Sequence, residues 1–260
     1  MQSDFPNVSQ NQFKKWSKLA DVKYRGEYGL FIAEGAKVVE ELLKSDWQVE
    51  AVLVLPEKIS HRERLVAQAQ GKFPVYRLKS QEWKKLSQDK EPEGIMAIVR
   101  SRKMPPLSSW LQSSGGHLLI GHEISNPRNL GALMRSARWF GFTGMMLSRN
   151  SVDVLHPKAV RASMGSIFHL NILTDVDLQT VLSEIKKDFT LIGSDVRYGV
   201  APHSTVKKAA LLLGGESHGL PEDLLVLANE RWRIPGDSEA DSLSLPQAAA
   251  IMMYEMVKKG

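Results

Sequence analysis

Residues 209–219 read AALLLGGESHG. The five apolar residues have strand length and no alternation, the pattern of a strand buried on both faces, as in a parallel sheet. The run empties into Gly214 and Gly215, residues that let the backbone approach another chain segment closely. Gly215 to Gly219 also fits the G-x-S-x-G elbow of serine hydrolases. That chemistry needs a histidine base later in the chain than the serine. The last histidine is His218, inside the motif itself, so Ser217 is not read as a nucleophile.

Working outward, further strand-length runs occupy 117–121, 144–147, 191–194 and 231–234. Leu130, Leu133, Met134 and Ala137 mark one face of a helix between the first two runs, 163–169 starts as a helix, and 246–258 forms a last helix with Pro246 at an early position. Strands alternating with helices predict a parallel sheet covered on both faces. Upstream, strands at 29–33, 49–55, 74–78 and 94–99 alternate with helices at 12–20, 34–44, 60–70 and 80–87, again an α/β layer. Residues 101–116 carry Pro105-Pro106, several serines and Gly115-Gly116, a linker composition. The expected division is a domain over 1–100, a linker over 101–116 and a second domain over 117–260.

Composition narrows the chemistry. The 260 residues include no cysteine, which removes disulfides, thiolate nucleophiles and cysteine-based metal sites. The seven histidines are scattered, with no H-E-x-x-H, and no metal is expected. P-loop and dinucleotide fingerprints are absent too. No apolar run reaches membrane-spanning length and the start lacks a signal-peptide pattern, so a cytoplasmic protein without a membrane partner is expected. The net charge is +5, and residues 1–116 hold 19 basic against 14 acidic side chains, while 117–260 hold 15 of each. The excess therefore lies wholly in the first part, where Lys14, Lys15, Lys18, Lys23 and Arg25 face only Asp4 and Asp21 in the first 25 residues. Such a segment suits a polyanion, although a solvated basic helix has the same composition.

Three loops at strand ends remain. Asn126-Pro127-Arg128-Asn129-Leu130-Gly131 opens a helix that carries Arg135. Leu213 to Gly219 follows the buried strand. Ile234-Pro235-Gly236 and Ser242-Leu243-Ser244-Leu245 precede the last helix. Any one of them reads equally well as an ordinary turn. In order and interval the three together resemble the motifs of the SpoU (TrmH-type) RNA methyltransferases of the SPOUT superfamily. The first is similar to Asp/Asn-Pro-x-Asn-x-Gly-x-x-x-Arg and the second to Leu-Gly-x-Glu-Gly-x-Gly, with Ser217 in place of a glycine. The third is similar to Ile-Pro followed by Ser-Leu-Asn, with Ser244 in place of the asparagine. The first domain resembles the ribosomal-protein-like RNA-binding domain that often precedes such catalytic domains, through Phe31-Ile32-Ala33-Glu34-Gly35, Gly94-Ile95-Met96-Ala97 and Lys23-Tyr24-Arg25.

The resemblance implies a trefoil-knotted second domain, a homodimer and transfer of a methyl group from S-adenosylmethionine to a ribose 2′-hydroxyl of RNA, ribosomal RNA more readily than tRNA. It assigns the catalytic role to Arg135 with Asn129, Glu216 and Ser242. It places the cofactor against Gly214, Ile234, Gly236 and Leu243. Lys23 and Arg25 are the expected RNA contacts. A guanidinium stays protonated in proteins, so Arg135 is expected to stabilise charge rather than to act as the base. Ser244 keeps a second class open, a catalytically weakened RNA-binding or assembly factor.

Overall fold

The computed structural model describes residues 5–205, 207–237 and 242–258. In chain order the elements are α1 Gln10–Trp16, α2 Val22–Tyr28, β1 Leu30–Glu34, α3 Ala36–Leu43, β2 Val49–Val54, α4 Glu63–Gln70, β3 Val75–Arg77, α5 Ser80–Leu86, β4 Ile95–Arg100, α6 Leu107–Ser113 and β5 Leu118–His122. They continue with α7 Pro127–Trp139, β6 Gly144–Ser148, α8 Pro157–Ala162, β7 Asn171–Val176, α9 Leu178–Ile185, β8 Thr190–Ser194, β9 Ala209–Gly214, α10 Glu222–Leu225, β10 Glu230–Trp232 and α11 Leu245–Val257. The chain divides into two compact units, 1–103 with 153–168, and 104–152 with 169–260.

The first unit is built on a four-stranded sheet of order β1-β4-β2-β3, antiparallel at its first two pairings and parallel at β2–β3. Trp16, Leu30, Ile32, Leu53, Trp83 and Ile98 form its core with six further buried residues. Residues 153–168, which follow β6 in the chain, belong to this unit. α8 packs on β1, and Arg161 bonds Asp89 and approaches Glu34 at 3.9 Å. Burial raises the Glu34 carboxyl above the ordinary glutamate range, against the opposing Ser87 hydroxyl bond and the Arg161 charge. The helix expected to begin at 163 instead runs over 157–162, started by Pro157 behind the His156 cap. Met164 and Gly165, both with positive φ, stop it, and a single tight turn follows over Ser166–His169.

The second unit holds a six-stranded sheet of order β10-β8-β9-β5-β6-β7, parallel throughout. β9 is buried at every position, which explains its unbroken apolar run. The stretch read as a linker contains α6, whose Trp110 is buried in this unit's core beside Ile120, Met146 and Leu212. β7 and α9 escaped the sequence reading. β7 is an edge strand with Asn171 and Asp175 exposed, so its hydrophobic pattern is interrupted. α9 is legible after the fact, from Leu178, Val181, Leu182 and Ile185.

From β5 the chain moves outward to β6 and β7, then crosses back to place β8 and β9 on the other side of β5. The β5–β9 pair is thus the point where strand order reverses, and in open α/β sheets ligands bind outside the carboxyl ends of strands at such points.

Candidate active site

The carboxyl ends of β5 and β9 leave the sheet in register, His122 opposite Gly214. The loops that follow are therefore neighbours. The second folds back on its own strand: Gly219 N–H donates to the Gly215 carbonyl at 3.0 Å, and Gly219 has φ 67°. A Cβ on Gly214 would stand 1.9 Å from the Gly219 carbonyl carbon, and one on Gly215 would stand 2.5 Å from the Glu123 carbonyl oxygen. Both glycines are therefore required by close backbone approach. Glu123 itself adopts φ 49°, a left-handed conformation uncommon outside glycine.

The Asn-Pro pair of the first motif starts a helix. The Asn126 side-chain oxygen accepts from the Arg128 and Asn129 amides at 2.9 and 3.4 Å, and Pro127 sits where its missing N–H costs nothing. Leu130, Leu133, Met134 and Ala137 bury one face of α7, and this fixes the rotation of the helix. Asn129 then points its amide at the neighbouring loop, where Nδ2 donates to Glu216 Oε1 at 2.8 Å. Glu216 Oε2 accepts from the Ser125 hydroxyl at 3.1 Å and from its amide at 3.3 Å. Desolvation pushes the Glu216 carboxyl upward, but bonds from Asn129, its own backbone amide and Ser125 outweigh this and hold it below the ordinary range. The carboxylate is charged at neutral pH and ties the first two motifs together. Ser125 was missed by the sequence reading, because nothing in a lone serine before the motif announces a partner about ninety residues away.

Arg135 lies further along α7, exposed, and forms no hydrogen bond or ion pair among the described residues. Glu216 engages Asn129 and not Arg135. Arg128, one heptad before, and Arg138, three residues on, are exposed as well, and the helix contains no acidic residue. Positions three and seven apart share a helical face, so α7 presents an unneutralised row of guanidinium groups.

The third motif contributes two short segments. Ile234 is half-buried and Gly236 borders open space. Ser242 is exposed, and Leu243 is 47% exposed. The intervening residues 238–241 lie outside the described residues. Ser244 caps α11, where its hydroxyl and amide both donate to Gln247 Oε1, at 2.9 and 3.2 Å. Serine is a favourable residue at a helix start, and Ser244 occupies that position here. α11 itself packs on α7 and β9.

On the same sheet edge a cleft of about 200 Å³ is lined by His122, Glu123, Arg149, Asn150, Asp177 and Asp223, among others. Asn150 Nδ2 donates to the Glu123 carboxylate at 3.3 Å. Among the described residues there is no cluster of three potential metal ligands, and no helix is long and apolar enough to cross a membrane.

One expected RNA contact is corrected. Arg25 is 4% exposed. Its guanidinium donates to the Leu19 and Ala20 carbonyls at 2.9 and 2.8 Å and bonds the Asp153 carboxylate at 2.6–2.7 Å. With these donors satisfied inside the first unit it is a structural clamp, not a phosphate contact. Lys23, two residues earlier, is exposed.

Comparison with known proteins agrees with this geometry. The model of the SpoU rRNA Methylase family matches residues 116–254, and that of the MRM3-like substrate binding domain matches residues 10–97. The 23S rRNA (guanosine(2553)-2′-O)-methyltransferase RlmP of Bacillus subtilis (strain 168) is 26% identical over 96% of this chain and 97% of its own length. The mitochondrial rRNA methyltransferase 3 of Homo sapiens is 24% identical over 89% of this chain and 68% of its own. Among solved structures, an AdoMet-bound rRNA methyltransferase from Sinorhizobium meliloti superposes with a TM-score of 0.80 at 25% identity, covering 96% of this chain and 95% of that one. The first of these matches spans more than half of the chain and contains all three motif loops, and on that ground the chain belongs to the SpoU rRNA Methylase family.

Proposed function

We propose that the protein is an S-adenosylmethionine-dependent 2′-O-ribose methyltransferase of ribosomal RNA. The observation that carries this reading is the Asn129–Glu216–Ser125 network, which joins two family motifs at the strand-order reversal of a parallel sheet. The relatives named for rRNA methylation support the substrate, and the AdoMet-bound neighbour supports the cofactor.

The residues suit that cofactor. Gly214 and Gly215 keep the loop backbone compact. The exposed Leu243 and the half-buried Ile234 each offer apolar surface suited to an adenine, and Gly236 borders open space. S-adenosylmethionine supplies an electrophilic methyl group on a sulfonium. The chain must hold the ribose in line, exclude water and stabilise charge on the 2′-oxygen as its proton leaves. Arg135 is assigned the last task. Asn129 and Glu216 are positioning residues that fix the start of α7, and Ser242 adjoins the Leu243 segment. A trefoil knot in the second unit is part of this reading. So are RNA binding by the first unit, methyl transfer in the second unit, 104–152 with 169–260, and a cytoplasmic location. A catalytically weakened RNA-binding relative, the class that Ser244 keeps open, would bind RNA without transferring a methyl group.

The direct test is purified protein, S-adenosylmethionine and rRNA from cells lacking the gene. A single new 2′-O-methyl is expected at the position that the deletion leaves unmodified. No transfer to that RNA, or transfer only to tRNA, overturns the assignment.

A homodimer is also proposed. Ala249, Met252, Met253 and Met256 pack inward. Outward, α7 and α11 present Trp139, 83% exposed, with Ile251 and Tyr254, and the Tyr254 ring lies 6.2 Å from that of Phe140. Large exposed apolar groups on two helices that pack together suit an association surface. Light scattering at micromolar concentration is expected to give twice the chain mass; a monomer refutes the dimer.

A further inference from the structure

α2 carries Tyr24 and Tyr28 four residues apart, on one helical face. Their rings stack with centroids 5.8 Å apart and planes inclined by 27°. Tyr28 rests on the core of the first unit, which anchors the inner ring, and both residues are half-buried rather than enclosed. Their other neighbours are cations. Lys18 Nζ stands 4.6 Å and Lys23 Nζ 5.7 Å from the Tyr24 centroid, and Lys15 Nζ stands 5.6 Å from that of Tyr28. These lysines are poorly neutralised. Lys15 reaches Glu50 only at 3.7 Å, and Lys18 and Lys23 form no ion pair among the described residues. Asp21 is engaged as the α2 cap, accepting from the Lys23 amide at 2.9 Å, while Glu27 remains as an exposed carboxylate nearby.

We propose that this cluster is a stacking platform for an unpaired nucleotide of the RNA, with a base on Tyr24 and the flanking phosphates on Lys15, Lys18 and Lys23. The proposal rests on the RNA-substrate reading above and assigns part of that binding to particular side chains. An exposed ammonium over a ring contributes about two- to fivefold in affinity. A base stacked on an aromatic side chain contributes about five- to 150-fold. The base therefore displaces the ammonium, and each lysine can swing on its flexible stem from ring to phosphate. A paired helix offers no free base face, so the platform selects single-stranded segments. An acidic protein partner would use the lysines but gain nothing from the ring face.

The test is fluorescence anisotropy of the full chain with a labelled single-stranded oligoadenylate and with a blunt RNA duplex of equal length. Tyr24→Leu, which keeps apolar packing and removes the π-face, is expected to weaken single-strand binding by about tenfold and leave the salt dependence unchanged. Tyr24→Phe should keep affinity within about twofold, since the ring remains. Lys18→Gln with Lys23→Gln should flatten the log–log salt slope by about one to two. Unchanged single-strand affinity in Tyr24→Leu overturns the proposal. So does equal weakening in Tyr24→Phe, or an equal loss of duplex binding. A wild-type protein that binds neither RNA overturns the RNA-substrate reading as well. S-adenosylmethionine affinity, measured alongside, is expected to stay constant in every variant.

Discussion

Arg135→Ala is expected to leave S-adenosylmethionine affinity within about twofold of wild type while methyl transfer falls by about a hundredfold or more, the scale of losing one donor to a developing oxyanion. The argument begins with the side chain's freedom. Arg135 is exposed and engages no group among the described residues, so its removal leaves no partner unsatisfied and should hardly alter stability. Its helix is anchored instead by the buried Leu130, Leu133, Met134 and Ala137 and by the Asn126 cap. Arg128 and Arg138 on the same acid-free helix add positive charge that suits a phosphate. Arg135→Lys is expected to restore little, because an ammonium lacks the planar fork that grips two oxygens at once. Isothermal calorimetry for the cofactor and single-turnover transfer of a labelled methyl group separate the outcomes. Loss of cofactor binding would make Arg135 part of the pocket wall. Unchanged turnover would reduce it to a surface arginine.

Gly214→Ala is expected to abolish S-adenosylmethionine binding and to cost about 3 kcal/mol of stability, at the upper end for overpacking a close-packed site. The added methyl carbon would lie 1.9 Å from the Gly219 carbonyl carbon and 2.1 Å from the Leu220 nitrogen. These are backbone atoms, and no rotamer change can relieve them. The loop carrying Glu216 must move, and the bonds to Asn129 and Ser125 go with it. The strand itself should survive, since β9 is paired on both sides, with β5 and β8. A larger Gly214→Val would add nothing, because the first carbon already collides. Gly236→Ala is the control: its methyl meets nothing within 4 Å, so folding should be indifferent to it and any loss of cofactor affinity reports the pocket alone. Thermal unfolding beside calorimetry decides; a Gly214→Ala protein that binds normally would remove this loop from the cofactor site.

Local pattern alone determined much of this protein. The unbroken run 209–213 required a strand buried on both faces, and a parallel sheet meets that requirement because helices cover both of its sides. Asn126-Pro127 announced a helix start through capping and a fixed φ, both properties of adjacent residues. The loops Asn126–Gly131, ahead of the helix with Arg135, Leu213–Gly219, with Glu216, and 234–245, with Leu243, stood out together by their order and intervals at strand ends. What only the tertiary structure decided are the partnerships between residues remote in the chain. Nothing near Glu216 in sequence announces Asn129 or Ser125; the β5–β9 register brings them together. Arg25 looked like one more member of a basic segment until Asp153 and two carbonyls enclosed it, because a charge pattern counts cations without saying which are desolvated and paired. Residues 153–168 follow β6 in the chain but pack with the first unit, since the chain is continuous where packing is not. Periodicity and turn chemistry act within a few residues and can be read from order alone, whereas burial and ion pairing depend on distances that only the folded chain sets.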